Sequence, residues 1–156
     1  MIRISNILIV LVIIIISLAG GRFTSSGMEW YKTISLPAWT PPGAIIGSVW
    51  TVIYILTAIS AIMIWNRAPG IDNFKVIELL FILNGVFNLL WSYLFFAKQQ
   101  IGPAVIDSLA IEATLLLLIA LIWKHSVTAS LLLVPYALWV GFATYLNFTI
   151  FLLNKE

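Results

Sequence analysis

The chain has 156 residues, 62% of them hydrophobic and only 9% charged, with eight Lys and Arg against six Asp and Glu. Soluble domains carry about 25% charge, so this composition points to a single small domain, 1–156, whose solvent is largely lipid. The net charge of +2 is too small and too scattered for a nucleic-acid surface, and the absence of cysteine excludes disulfides and thiolate metal or redox sites.

Five apolar runs follow one another, at 4–21, 44–66, 77–97, 101–123 and 127–151. Each approaches the roughly 20 residues that carry a helix across the hydrocarbon core. None alternates apolar and polar residues as a transmembrane barrel strand does. The expected fold is an all-α integral membrane protein, a bundle of five transmembrane helices. The first run, after Arg3 and ending in "LAGG", resembles a signal peptide, and we read it as a retained helix. Residues 22–43 form the longest connection, rich in Gly, Ser, Pro, Trp and Tyr. The third and fourth links are tight, which makes neighbouring helices antiparallel. The two membrane sides, A for the N-terminus and B opposite, then carry four Lys or Arg each, so the positive-inside rule gives no orientation.

The second run opens with "LPAWTPPGAIIGSVWTVIY" at 36–54. Gly43 and Gly47 form a GxxxG pair, a signal of low specificity for close approach of another helix. Gly47, Trp50, Tyr54 and Thr57 make one helical stripe. In the third run Asn84, Asn88 and Trp91 do the same, and in the fourth Ala104, Asp107, Ser108 and Ile111 cluster. In the fifth run the stripe is Tyr136, Trp139, Ala143 and Asn147. At 1.5 Å per residue, Trp50, Trp91 and Asp107 each lie roughly 9 Å below the B surface, with Asn84 and Trp139 deeper. Less apolar faces turn inward in a membrane, because lipid cannot satisfy their hydrogen bonds. A cavity in the B-side half is expected, lined by Trp, Tyr and Asn under a proline-rich lid.

Other readings of these residues stand beside that one. Trp65 and Trp123, at side-A helix ends, read as interfacial anchors, and Trp30 and Trp39 fit the same role. Asn84 and Asn88 either join helices or contact a ligand. Asp107 and Glu112 are five positions apart, about 140° around a helix, so they do not form one dyad. A buried acid must be paired, protonated or functional. His125 stands alone in a loop, without a second His for a metal site. There is no phosphate-binding glycine loop, no Ser-His-Asp set and no metal-ligand spacing.

Three stretches, "LPAWTPPGAIIGSVWTVIY", "NGVFNLLWSYLFF" and "LVPYALWVGFATYLNFTIFLLN", together resemble the TspO/MBR family over about Trp30 to Asn154. The first run adds little to the likeness. The resemblance implies a five-helix bundle, usually a homodimer, in a membrane and most simply the bacterial cytoplasmic membrane. It implies a receptor for porphyrins such as protoporphyrin IX and haem, and for isoquinoline carboxamide and benzodiazepine drugs. The porphyrin is a ligand, with no intrinsic cofactor and no metal. Matching the motifs places the ligand-binding residues at Tyr31, Trp39, Trp50, Asn84, Phe87, Asn88, Trp91, Asp107, Trp139, Phe142 and Ala143. Light- and oxygen-dependent porphyrin breakdown, reported for some members, would use Trp50 and Trp139. Porphyrin propionates would meet lid amides or Arg22 and Lys32. The sterol-recognition pattern fails, because the next basic residue after Tyr145 is Lys155. Glu112 is an acid where the family leads one to expect an apolar residue. A small proton-coupled transporter of tetrapyrroles or other hydrophobic molecules is the alternative, and a sensory partner of another membrane protein is the third reading.

Overall fold

The computed structural model describes residues 3–155; Met1, Ile2 and Glu156 lie outside it, so the expected domain 1–156 is described less these ends. Among the described residues all regular structure is helical, and five helical segments are long and apolar enough to cross a membrane. They are α1 (Ile4–Tyr31), α2 (Gly43–Trp65), α3 (Phe74–Ser92) with its continuation Tyr93–Ala97, α4 (Ile101–Trp123), and a last span made of α5 (Val127–Leu131) and α6 (Val134–Leu153).

Local chemistry sets the boundaries. α2 starts where Pro41 and Pro42 end, and the Pro42 carbonyl accepts from the amides of Ile45 and Ile46. α3 follows Asn73, whose φ of 59° is a left-handed conformation that Asn tolerates. The far end of α3 widens into a π turn, with the Lys98 amide donating to the Tyr93 carbonyl, and Gln99 at φ 58° stops it. Between α5 and α6 the helix breaks beside Pro135, which has no amide to donate to the preceding turn.

Two boundaries differ from the sequence reading. α1 runs ten residues beyond the apolar run at 4–21, so the 22–43 connection shrinks to residues 32–42. At 28 residues it is about 42 Å long, more than the roughly 30 Å hydrocarbon core requires. The extension is held by packing rather than by hydropathy: Gly27 lies against the Phe96 backbone, so closely that a Cβ there would overlap the Phe96 carbonyl. The last span, expected as one run at 127–151, is interrupted at Leu132 and Leu133.

The helices form a ring in which α1 touches α2 and α3, α3 touches α4, α4 touches α6, and α5 closes the circuit against α2. The side-A half of this ring is solid. Ile64, Leu115, Leu118, Ile122 and Leu133 are fully buried there. Lipid is as apolar as leucine, so this core is held by close packing and internal hydrogen bonds rather than by exclusion of water. Ser60 Oγ donates to the Ala129 carbonyl (2.8 Å) and Ser130 Oγ to the Ile119 carbonyl (2.7 Å), tying α5 to both α2 and α4. Trp65 packs edge-on against Phe74 and Phe81, so it joins α2 to α3 in addition to any role as an anchor.

Candidate functional site

On side B the ring opens around a cavity of about 480 Å³. Its floor is a hydrogen-bonded chain across three helices: Tyr54 Oη donates to Asn88 Oδ1 (2.9 Å), and Asn88 Nδ2 donates to Tyr136 Oη (3.0 Å). The Trp50 ring leans on both tyrosines, tilted to Tyr54 at 5.6 Å and edge-on to Tyr136 at 5.8 Å. Trp91 stacks on Phe95 with centroids 5.2 Å apart, and Trp139 lies tilted on Phe142 at 5.4 Å. Three tryptophans from α2, α3 and α6 therefore stand around one space.

Of the residues expected from sequence, Tyr31, Trp50, Asn88, Trp91, Trp139, Phe142 and Ala143 line the cavity. Four lie elsewhere. Trp39 is 44% exposed and sits at the rim, stacked on Tyr145 at 5.5 Å and edge-on to Phe142. Asn84 is a helix joiner, its Nδ2 donating to the Ile111 carbonyl (3.1 Å) and to Thr114 Oγ1 (2.9 Å). Phe87 does not line the cavity and packs, partly buried, against the main hydrophobic core. Asp107 is 6% exposed, behind the wall rather than on it, and its Oδ2 has no partner; the cavity is lined by its neighbour Ser108. Glu112 likewise has a buried Oε2 without a partner. Neither Arg22 nor Lys32 lines the cavity, and Lys32 Nζ is paired with Glu29 Oε1 at 2.7 Å. Among the described residues no group of three or more His, Cys, Asp or Glu is placed to hold a metal.

Apart from Tyr31, the cavity-lining face of α1 was not expected from sequence. Ser17, Gly20, Thr24, Met28 and Tyr31 all line the cavity, on one stripe of the helix. The signal was present as small and hydroxyl residues interrupting an Ile and Leu run. The threonine and serine hydroxyls of this face donate to carbonyls one turn back, Thr24 to Gly20 and Ser25 to Gly21, which makes them tolerable in lipid. Tyr54 and Asn147 also line the cavity; both stand on stripes seen in the sequence but were not among the expected ligand residues.

The cavity is open sideways. Gly21 and Ser25 on α1, and Gly43, Gly47 and Thr51 on α2, line it and are at the same time exposed. A Cβ at Gly21, Gly43 or Gly47 would meet nothing within 4 Å. The GxxxG pair thus does not seat another helix of this chain; it borders a gap between α1 and α2 on the bilayer side.

Segment 32–42, the cover expected from sequence, contributes no lining residue and is fastened beside the cavity at two points. The Ser35 amide donates to Asn154 Oδ1 (2.9 Å) and Asn154 Nδ2 donates back to the Ser35 carbonyl (2.9 Å). Trp39 on Tyr145 is the second fastening.

The profile of the TspO/MBR family matches residues 8–153, which includes all but the first four residues of α1 and the whole of α2, α3, α4 and α6. The chain belongs to the TspO/MBR family. It is 41% identical over 125 residues to the tryptophan-rich protein TspO of Bacillus cereus, covering 80% of each chain. It is 37% identical over 146 residues to the protein of the same name from Archaeoglobus fulgidus, covering 93% of this chain and 94% of that one. The human translocator protein is 29% identical over 133 residues, 84% of this chain and 79% of its own. The TspO/MBR chain is a multi-pass membrane protein, and its motif tryptophans Trp50, Trp91 and Trp139 are the ones gathered around the cavity.

Proposed function

We propose that this protein is a membrane receptor for flat, largely apolar aromatic molecules of the porphyrin class, with drug-like isoquinoline or benzodiazepine ligands competing for the same space, and that it works in a bacterial cytoplasmic membrane. The observation that carries the reading is the cavity wall: three indoles and Tyr54 around about 480 Å³, within the range of small-molecule sites. Aromatic faces stack on a wide π-system and hold it without a net charge. Trp50 and Trp139, on α2 and α6, would then quench a bound porphyrin or be quenched by it. The test is a titration of the purified protein with protoporphyrin IX, following tryptophan emission. Saturable quenching that weakens in Trp50→Phe and Trp139→Phe is expected; a linear, unsaturable decline would reject the receptor reading.

A proton-coupled carrier is the second reading, favoured by the unpartnered carboxyl oxygens of Asp107 and Glu112 inside spans. An acid without a partner at that depth is held neutral or exchanges its proton. Uptake of porphyrin into proteoliposomes that requires a pH gradient and disappears in Glu112→Gln would establish it; uptake indifferent to the gradient would dismiss it.

A further inference from the structure

We infer that Asn147 is the residue through which the cavity reads a hydrogen-bond acceptor, a carbonyl or carboxylate oxygen on one edge of the bound molecule. The inference rests on the receptor reading above and names the ligand chemistry of that site.

Most polar groups in the wall are satisfied within the protein. Thr24, Ser25, Thr51 and Ser108 direct their hydroxyls to carbonyls of their own helices, at 2.7–3.0 Å. Tyr54 and Asn88 are engaged with each other and with Tyr136. Asn147 differs. It lines the cavity, it is only 3% exposed, and its Nδ2 has no partner. An amide nitrogen buried without an acceptor is disfavoured, and native proteins leave few such groups unexplained. A ligand oxygen satisfies it.

Among the described residues no lysine or arginine lines the cavity, so an anionic edge would be met there by neutral donors. Asn147 also fixes orientation. It lies six residues before the end of α6, about 9 Å below that end, whereas Trp139 is two turns deeper, about 12 Å further along the helix. The aromatic body of the ligand would rest at the level of the tryptophans, and its oxygen-bearing edge would point up the α6 wall toward the cover.

The experiment compares protoporphyrin IX, which carries two propionates, with etioporphyrin, the same macrocycle bearing only alkyl groups, on the full chain in detergent. Asn147→Leu keeps the side-chain volume and removes the donor. It should weaken protoporphyrin IX about tenfold, the size of one lost hydrogen bond to a charged group, and leave etioporphyrin within about twofold. Asn147→Asp, placing a carboxyl against the propionate edge, should give the same selective loss. Equal losses for both porphyrins, or no loss for either, would overturn the assignment, as would a Leu variant that cannot fold, since the amide would then be a structural bond. Wild-type protein that binds both porphyrins equally rejects the amide assignment alone; wild-type protein that binds neither rejects the receptor reading with it.

Discussion

Asn154 holds Ser35 through both halves of its side-chain amide, accepting from the Ser35 N–H and donating to the Ser35 carbonyl, each at 2.9 Å. One side chain at the end of α6 thereby pairs with the cover as a neighbouring β-strand would. The pair is solvent-exposed, so its two bonds together hold the segment by about 1–2 kcal/mol. Asn154→Ala should leave the fold intact and speed ligand dissociation about five- to thirtyfold. Stopped-flow release of a bound porphyrin measures this, and hydrogen exchange at Ser35 should rise in parallel. An unchanged release rate would mean that Trp39 on Tyr145 alone closes the site.

Gly27 is the point where the extension of α1 meets the end of α3. Its absent side chain lets the Phe96 backbone approach, and a Cβ would overlap the Phe96 carbonyl. The obstacle is backbone inside a π turn, which cannot swing away as a side-chain tip can. Gly27→Ala should cost about 1–3 kcal/mol, and Gly27→Val more. Thermal unfolding in detergent should show Gly27→Ala well below wild type while Gly21→Ala, in open space, stays close to it.

The five spans were legible because 20-residue apolar runs have few other meanings, and the cavity was legible because each stripe breaks the apolar pattern at helical period. α1 was not read to its end, since residues 22–31 are only moderately apolar and their helix depends on a glycine contact with α3 that no local pattern contains. Asn84 and Asn88 could not be separated by sequence either. They stand one turn apart on the same helix, yet one faces the α4 backbone and the other bridges two tyrosines. That difference arises from how α3 is rotated against its neighbours, which depth and spacing do not specify.

That rotation yields its own prediction. Asn84→Leu should destabilise the bundle by about 1–3 kcal/mol, by removing the bonds to Ile111 and Thr114, without altering ligand selectivity. Asn88→Leu leaves Tyr54 without its acceptor and Tyr136 without its donor, so it should both destabilise the protein and weaken binding. Thermal midpoints paired with porphyrin titrations separate the two. If Asn84→Leu lost affinity as strongly as Asn88→Leu, the division between joiner and floor would be wrong.

The gap between α1 and α2 leads to the last prediction. Gly21, Gly43 and Gly47 border the cavity and the bilayer at once, with nothing within 4 Å of where their side chains would be. A molecule dissolved in lipid can reach the indoles through this gap without displacing the cover. Narrowing the gap raises the barrier in both directions and leaves the bound state nearly unchanged. Gly47→Val should therefore slow association and dissociation of a membrane-partitioned porphyrin together, each by about tenfold if the barrier rises by about 1.4 kcal/mol, with Kd within about threefold of wild type. Asn154→Ala, acting on the cover, should not restore the lost association rate. Kinetics in nanodiscs, where ligand arrives from the bilayer, would decide the matter: an unchanged association rate in Gly47→Val, or recovery on loosening the cover, would place the route through segment 32–42 instead.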